Sequence, residues 1–407
     1  MSEKADNEPP RFLYVVNEAH FFLSHRLPMA RAARSLGYEI HVAAPTDHVW
    51  APANFNVREL TDAGFHYHPI PLVRRGQNPV EDLVTFAALW RLYRHVRPTL
   101  VHNMTIKPVI YGGLAARILR VPAVVSLVTG LGHIFIADGV RAALLRRTVL
   151  EAYRQALRHS NARVVFQNPN DRDIFVDTGV AERAQTCVIR GSGVALDAFV
   201  PTEEPPTPIT VILPARLIWE KGVAEFVAAA RELRSRFSVL RFVLVGDTQA
   251  SNPRSVPPSQ LEVWVDEGII EWWGRCADMP AVYAKAHIVC LPSRYGEGVP
   301  KALMEAAACS RPLITTDIPG CREVVRHGEN GLLVPPGDVD ALVAALETLS
   351  RDTELRRRFG ARARQIAASE FSEESVERQT LAVYRKLLEP GVTPEASPTE
   401  GLPKTRS

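Results

Sequence analysis

The sequence predicts an α/β protein with two doubly wound, parallel-sheet domains that face each other across a cleft. Short β-branched runs alternate with longer helical patterns in both halves, which is typical of a parallel sheet covered by helices on both faces. A proline-rich segment, PTEEPPTP (201–208), separates the halves. Residues 1–200 have a charge balance of +6 and residues 201–407 a balance of −3. We therefore expect two domains with different partners.

The first half begins with the strand RFLYVV (11–16) and a helix over residues 28–36. This helix is expected to end before Gly37, because glycine is the usual residue just past a helix. Further strands are predicted at 38–45, 99–104, 123–129 and 162–168, with helices at 86–95 and about 142–159. These elements predict a first domain over residues 11–200, preceded by a disordered segment at 1–10.

The second half repeats the same alternation. Four prolines in eight residues make the connector 201–208 extended and semi-rigid. Strands are then predicted at 209–215, 241–247, 269–274 and 287–293, and helices at 222–237, 300–309 and 338–351. These elements predict a second domain over 209–370, a last helix within 371–390 and a disordered tail at 391–407.

Composition excludes several classes of protein. Hydrophobic residues make up 46% of the chain and charged residues 23%, as in ordinary globular enzymes. The five cysteines form no CxxC pair, which argues against zinc or dithiol chemistry and favours a reducing compartment. The polar N-terminus and the glycine- and proline-broken stretch 121–137 predict no secretory signal and no membrane span. We expect a cytoplasmic protein without nucleic-acid partners, able to lie on the inner face of the membrane.

The segment SRYGEGVPKALMEAAA (293–308) joins a strand end, a glycine-flanked loop and a helix. Ligands of open α/β sheets bind at the carboxyl ends of the strands. Glu297 lies in the loop and Glu305 on the helix, with Pro300 expected at the first helical position. Two carboxylates that converge on one cleft can accept hydrogen bonds from sugar hydroxyls. The alternative is a helix N-terminal acid and an unrelated solvated acid.

A second segment, PARLIWEKG (214–222), follows the first strand of the second domain. Arg216 and Lys221 lie in this loop, and the next helix adds the partial positive charge of its N-terminus. A diphosphate is the natural ligand, because each charge-assisted hydrogen bond contributes ~1.5–3 kcal/mol. The alternative is a pair of solvated surface charges.

Four motifs, in the same order along the chain, resemble the second half of the family 4 retaining glycosyltransferases. These enzymes have the GT-B fold of two Rossmann-like domains. The motifs are ARLIWEKG, the glycine of LVGD, EGVPKALMEAAA and TTDIPGCREVVRHGENGLLVPPGD (315–338). In the first half, NEAHFFLSHRLPMARAARSLGYEIHVAAP and VHNMTIKPVIYGGLAARILRVPAVVSLVTGLGHIF resemble a bacterial subgroup. That subgroup extends polyprenol-diphosphate-linked, lipopolysaccharide or capsule sugars, often from N-acetylhexosamine donors.

The resemblance assigns roles to the residues of these motifs. It implies that Arg216 and Lys221 bind the nucleotide diphosphate, and that Glu297 contacts the donor sugar. It further implies that Glu305 contacts the ribose and that the last helix crosses back to the first domain. Other donor-binding positions that it implies are Gly246, Gly296, Gly298, Val299, Pro300, Pro319 and Gly320. The implied reaction is retaining and uses a nucleotide sugar, most simply UDP-linked. We expect no cofactor and no metal, because Arg216, Lys221 and a helix N-terminus balance the diphosphate charge and the sequence has no credible metal cluster.

Candidate acceptor-side or cleft residues follow strands of the first domain. They are His20, His25, Arg26, Lys107, Gly130 and His133. His25 and Arg26 have the alternative role of capping and packing the next helix, and Lys107 is placed to meet an acceptor phosphate. Many family members have a histidine at the end of the strand that here reads AVVSLVT. This chain has Thr129 and Gly130 there, so no catalytic histidine is assigned.

Two features remain open. Arg147, Arg154 and Arg158 share one face of a predicted helix, which is either a solvated face or a contact with anionic lipid headgroups. Asp171 and Asp173 resemble a metal-binding DxD but stand at a predicted helix start, where acids are common. Two alternative functions also remain: a non-hydrolysing sugar-nucleotide epimerase on the same fold, and a non-catalytic sugar-nucleotide-binding subunit.

Overall fold

A computed structural model of the chain describes residues 9–45, 57–73, 78–130, 139–237, 239–249, 252–294 and 298–389. The predicted site residues Gly296, Glu297 and His133 lie outside these ranges. The two segments predicted to be disordered, 1–10 and 391–407, also lie outside them, except for residues 9 and 10.

The first half of the chain forms a seven-stranded parallel sheet with the strand order β3-β2-β1-β4-β5-β6-β7. Its strands are β1 (Arg11–Val15), β2 (Glu39–Pro45), β3 (His66–Ile70), β4 (Leu100–Met104), β5 (Ala123–Val128), β6 (Ala162–Phe166) and β7 (Thr186–Val188). The central strands β4 and β5 are buried along their whole length. Continuous apolar strands of this kind require helices on both faces of the sheet.

Within the described part of the first half, six α-helices surround this sheet. They are α1 (Ala19–Ser35), α2 (Arg58–Asp62), α3 (Pro79–Val96), α4 (Gly113–Leu119), α5 (Val140–Leu157) and α6 (Pro169–Asp177). A π-helical turn, Pro108–Gly112, precedes α4. Asn168 caps α6 by accepting a hydrogen bond from Asp171 N at 2.8 Å. Asp171 is therefore part of a helix start and is itself buried.

Helix α1 begins nine residues earlier than the sequence predicted. We expected a helix start at Pro28, because proline favours the first turn, but Pro28 lies inside the helix. His20, His25 and Arg26 are therefore helical, and their predicted placement in a loop is wrong. The helix tolerates the proline because Phe22 and other apolar side chains of one face are fully buried against the sheet.

The second half forms a six-stranded parallel sheet with the order β10-β9-β8-β11-β12-β13. Its strands are β8 (Ile209–Pro214), β9 (Leu240–Val245), β10 (Glu271–Trp272), β11 (Ile288–Leu291), β12 (Leu313–Thr316) and β13 (Gly331–Val334). Its helices are α7 (Val223–Arg236), α8 (Pro258–Asp266), α9 (Met279–Ala284), α10 (Lys301–Ala308), α11 (Pro319–Arg322), α12 (Val339–Arg351) and α13 (Thr353–Glu370). Two doubly wound parallel sheets confirm the predicted fold class.

The last helix, α14 (Glu373–Leu388), packs on the first sheet rather than the second. Its Val376, Tyr384 and Leu387 belong to the same buried core as β1 and α1. The Tyr384 hydroxyl is 2.7 Å from Nδ1 of His102, a buried residue of β4. His102 of β4 therefore links the first sheet to α14.

The proline-rich connector is held against the second half by two buried arginines. Arg311 Nε donates to the Tyr283 carbonyl at 2.9 Å, and its Nη2 donates to the Glu203 carbonyl at 3.2 Å. Arg356 donates to both carboxylate oxygens of Glu204, at 2.8 and 3.1 Å. Arg356 is only 4% exposed, so this ion pair is shielded from water.

Replacing Arg356 with methionine is expected to destabilise the protein by about 3 kcal/mol, because a shielded carboxylate loses its partner. The measurement is the midpoint of urea unfolding. Arg357→Met is the matched control, since Arg357 is exposed and makes only an i,i+3 pair with Glu354, a type worth under about 1 kcal/mol. Equal midpoints for the two variants would contradict this role of Arg356.

Candidate active site

Four loops of the second half emerge side by side at one edge of its sheet. They follow β9, β8, β11 and β12, which are neighbours in the strand order. The first three loops contain, respectively, Gly246, Arg216 with Lys221, and residues 292–294 with 298–300, and the fourth leads into α11, which begins with Pro319 and Gly320. The fold therefore brings the predicted donor-binding positions among the described residues to the carboxyl ends of parallel strands, where open α/β sheets bind ligands.

Glycines let these loops touch. Gly246 has a φ of 141°, and a Cβ there would overlap the carbonyl oxygen of Ala215, so the loops after β8 and β9 pack backbone to backbone. A Cβ on Gly222 would likewise overlap the Pro292 carbonyl oxygen. Arg294 N donates to the Glu220 carbonyl at 2.9 Å. The loop with Arg216 and Lys221 therefore lies against the chain that leads to residues 295–297.

Glu305 is buried in this site. It is 9% exposed, and its Oε2 accepts a hydrogen bond from the Tyr283 hydroxyl at 3.0 Å. Its Oε1 lies 3.8 Å from Lys301 Nζ. Burial raises the pKa of the Glu305 carboxyl, and the positive charge of Lys301 and the Tyr283 hydrogen bond oppose that rise. The alternative of a solvated helix acid is therefore wrong for Glu305.

Helix α10 begins one residue later than predicted. Pro300 has a φ of −66° and an extended ψ of 118°, so it is the N-cap, and Lys301 is the first helical residue. The backbone therefore stays extended through Pro300, and Gly298 and Val299 lie in the turn before it.

That turn, Gly298–Lys301, contacts the first half of the chain directly. Val299 N donates to Gln167 Oε1 at 3.2 Å. A Cβ on Gly298 would overlap Gln167 Oε1 and the backbone carbonyl of Thr129. Thr129 and Gln167 follow β5 and β6, so the carboxyl ends of the two sheets face each other through these loops. Gly298, which the resemblance assigns to donor binding, therefore also makes room for the other domain.

A second contact crosses the cleft at α1. Lys301 Nζ donates to the backbone carbonyl of Ser24 at 2.6 Å. The Ser24 hydroxyl is 2.7 Å from Nδ1 of the next residue, His25. Burial, with Lys301 and Arg26 nearby, holds the pKa of His25 well below its ordinary value. Burial and the charge of Arg275 also lower the pKa of His20. Neutral imidazoles therefore line this side of the cleft near neutral pH.

The other first-domain candidates have different surroundings. Arg26 is 4% exposed on α1 and packs in the core of the first half, which agrees with the packing alternative. Lys107 makes a 2.8 Å ion pair with Asp82, so its charge is already balanced. Gly130 follows β5 beside Thr129 and has a φ of 127°. Among these, only His20, His25 and Gly130 lie near residues that cross the cleft.

The sequence did not single out three residues that shape this site: Gln167, Tyr283 and Lys301. Gln167 was included in a strand, and Tyr283 comes from α9, far from any motif. Lys301 stands within the EGVPKALMEAAA motif but was not assigned a role. A proline inside α1 four residues after Ser24 was the available indication that a backbone carbonyl there needs another donor.

Metal-binding side chains do not cluster in the described residues, in which no three or more His, Cys, Asp or Glu are arranged to hold an ion. Asp173 of the DxD-like sequence pairs with Arg172 and Arg183. Asp171 is buried at the start of α6, and burial raises its pKa to about 6. Asp171 is therefore part of the start of α6, and the charge of Asp173 is balanced by two arginines.

The arginine face of α5 is only partly free. Arg154 pairs with Glu151 and donates to the carbonyls of Thr178 and Gly179, at 2.8 and 3.1 Å. Arg147 and Arg158 are exposed, and Leu144 nearby is 67% exposed. None of the described helices is both long enough and apolar enough to cross a membrane.

Two Rossmann-like domains whose sheets face each other at the carboxyl ends of their strands have the arrangement of the GT-B class of glycosyltransferases. Two family models agree: "Glycosyl transferase 4-like" matches residues 11–168, and "Glycosyl transferases group 1" matches residues 208–352. The chain belongs to this glycosyltransferase family, as its motifs predicted.

Curated relatives and solved structures extend the comparison. The chain is 26% identical over 389 residues to the N,N'-diacetylbacillosaminyl-diphospho-undecaprenol alpha-1,3-N-acetylgalactosaminyltransferase of Campylobacter jejuni, covering 90% of this chain and 98% of the relative. It is 24% identical to the putative glycosyltransferase EpsD of Bacillus subtilis, covering 92% and 96%. The crystal structure of Anabaena Alr3699/HepE in complex with UDP superposes with a TM-score of 0.73 at 19% identity, covering 93% of this chain and 100% of that one. This last likeness concerns the fold alone.

Proposed function

We propose that this glycosyltransferase is retaining and metal-independent. It moves a hexose or N-acetylhexosamine from a UDP-sugar to a saccharide on a lipid-linked or cell-surface-polysaccharide acceptor. The observation that supports the proposal is the strand order, which puts the loop that contains Arg216 and Lys221 beside the chain that leads into α10, the helix of buried Glu305. Support for the acceptor comes from the Campylobacter jejuni relative, which by its name acts on an undecaprenol-diphosphate-linked saccharide.

In this proposal the cations and the helix act on the leaving group. Arg216 and Lys221, in the loop that precedes α7, stabilise with the N-terminus of that helix the negative charge that grows on the diphosphate as the glycosidic bond breaks. Glu305 accepts hydrogen bonds from the ribose, and Glu297 orients the sugar and stabilises positive charge on its ring. The acceptor hydroxyl attacks from the face that the diphosphate leaves, and its proton passes to a departing phosphate oxygen. The anomeric configuration is thereby retained.

A thermal-shift panel of nucleotide sugars in the presence of EDTA tests the proposal. A ligand at 100 times its dissociation constant adds ~2.7 kcal/mol of stability, so a UDP-sugar should raise the midpoint and other nucleotides should not. Transfer to an undecaprenyl-diphosphate saccharide should also survive EDTA, because Arg216, Lys221 and the α7 N-terminus balance the diphosphate. The Arg216→Met/Lys221→Met double variant should lose the shift.

Three outcomes would contradict this proposal in different ways. A shift restored only by manganese or magnesium would exclude metal independence. A shift with no transfer to any acceptor would favour a non-catalytic binding subunit. Interconversion of the nucleotide sugar without acceptor would identify an epimerase.

We also propose that the protein works at the inner face of the cytoplasmic membrane, with α5 of the first domain toward the lipid. The support is the exposed Arg147 and Arg158, with exposed Leu144 one helical turn from Arg147. Arg154 contributes less than the sequence predicted, because its guanidinium already binds Glu151 and two carbonyls.

Arg147→Glu/Arg158→Glu should release the protein from vesicles that contain phosphatidylglycerol. Each basic residue near an anionic surface is worth ~1 kcal/mol, so removing two lowers partitioning roughly 30-fold. Sedimentation with the vesicles is the measurement. Arg357→Glu/Arg358→Glu on α13 makes the same change in net charge on the other domain and should sediment normally. Equal sedimentation of both variants would instead indicate that the arginine face of α5 is solvated.

A further inference from the structure

Pro28 leaves one backbone carbonyl of α1 without its usual donor. In an α-helix the N–H of residue i bonds to the carbonyl of residue i−4, but proline has no N–H, and its ring pushes that carbonyl away. Pro28 lies inside α1, so the carbonyl affected is that of Ser24. A proline inside a helix is strongly unfavourable relative to alanine, so Pro28 at this position requires a compensating interaction.

The missing donor comes from the other domain. Lys301, the first residue of α10, donates from Nζ to the Ser24 carbonyl at 2.6 Å. The same ammonium lies 3.8 Å from Glu305 Oε1. Lys301 is half-buried, so both interactions are partly shielded from water. One side chain therefore joins α1 of the first domain to the turn before α10 and to the buried glutamate.

The titratable groups near the Lys301 ammonium include Glu373, His20 and His25. Glu373 at the start of α14 is close enough for the Lys301 charge to lower its pKa against the larger effect of burial. His20 and His25 on α1 have their pKa values lowered, in part by the same ammonium. Both histidines are then neutral near pH 7, so they do not repel Lys301 from α1.

We propose that Pro28 and Lys301 are a matched pair in which the carbonyl displaced by the proline holds Lys301. Lys301 in this way positions the Gly298–Lys301 turn for sugar transfer. It is a positioning residue and not a catalytic one, since it acts through the turn. The inference rests on the proposed assignment of this turn to the donor. Gln167, which accepts from Val299 N at 3.2 Å, holds the other end of the same turn.

Hydrogen exchange of the peptide that contains Val299 tests the pair without any substrate. Lys301→Met removes the donor, and Pro28→Ala restores an N–H that draws the Ser24 carbonyl back toward the helix. Both should speed exchange of the turn. Pro28→Ala should at the same time raise the thermal midpoint, because alanine is the better helix former. If Pro28 served only the structure of α1, replacing it would not both raise the thermal midpoint and speed hydrogen exchange of a turn in the other domain.

Two matched controls separate this effect from the chemistry of the substitutions. Pro79→Ala changes a proline at the start of α3, where the missing N–H has no helical partner to restore. Lys285→Met removes an exposed lysine elsewhere in the second half. Both should leave exchange of the turn unchanged.

Kinetics provide the second readout. Lys301→Met should lower turnover about 10-fold, as expected for losing a hydrogen bond to a charged group, and Pro28→Ala about 3-fold. In each variant, UDP affinity, measured by titration calorimetry, should change by a smaller factor than turnover does. The double variant should be no slower than Lys301→Met, since both changes break one contact. Lys301→Arg should recover most of the activity.

Unchanged exchange in Pro28→Ala, or multiplicative losses in the double variant, would overturn the pairing. Failure of the proposed function has a different signature. In that case the wild-type protein binds no UDP or nucleotide sugar. The hydrogen-exchange results for Lys301→Met, Pro28→Ala and the two controls would still be those expected above.

Discussion

Glu297→Gln is expected to lower turnover about 100-fold, whereas Glu305→Gln should chiefly raise the donor KM. Positive charge develops on the sugar ring only as its bond to phosphate breaks, so the proposed Glu297 contact strengthens in the transition state. The proposed Glu305 contact with the ribose is similar before and during the reaction, and such uniform binding affects KM. Glutamine retains the size of glutamate and removes its charge.

Steady-state kinetics with donor varied at saturating acceptor distinguish the two variants. Glu305→Gln should also weaken UDP binding, because the contact is to the nucleotide. Glu297→Gln should leave UDP affinity close to that of the wild type, because UDP lacks the sugar. Near-normal turnover in Glu297→Gln, or the reverse pattern, would contradict the proposed placement of sugar and ribose along the motif.

Gly298→Ala should lower transfer about 100-fold while the protein stays folded. The new Cβ would overlap the backbone carbonyl of Thr129 and the amide oxygen of Gln167. A backbone carbonyl at a strand end cannot move aside cheaply, so the Gly298–Lys301 turn must separate from the first domain. A displacement of about 1 Å at a reacting site costs on the order of 100-fold in rate.

The readouts for Gly298→Ala are turnover, UDP affinity and thermal midpoint. UDP affinity should stay within about threefold of wild type, because the proposed diphosphate contacts come from the loop after β8 and from α7. Gly328→Ala is the control: it lies in an open loop of the same half, with a φ of 78° and no atom near its Cβ. It should cost some stability and no turnover. Normal turnover in Gly298→Ala would show that close contact between Gly298 and the first domain is not needed for transfer.

Much of the fold could be predicted from local patterns. The apolar strands and their glycine- or proline-marked ends identified most central strands to within one or two residues, because buried parallel strands are continuous hydrophobic runs. The boundary of α1 could not be predicted in the same way. Proline normally marks a helix start, and only the packing of Phe22 and its neighbours against the sheet extends the helix back to Ala19.

The sequence by itself determined the fold class, the family and the motifs that carry the proposed donor site. Motif residues are local in the chain, so their order and spacing can be compared without coordinates. Only the tertiary structure decided that Glu305 is buried against Tyr283, that Lys107 is paired with Asp82, and that Gly298 makes room for the other domain. Each of these facts depends on a partner distant in sequence. Whether a residue is buried or paired depends on where its partner lies in the fold, and no local sequence pattern encodes that position.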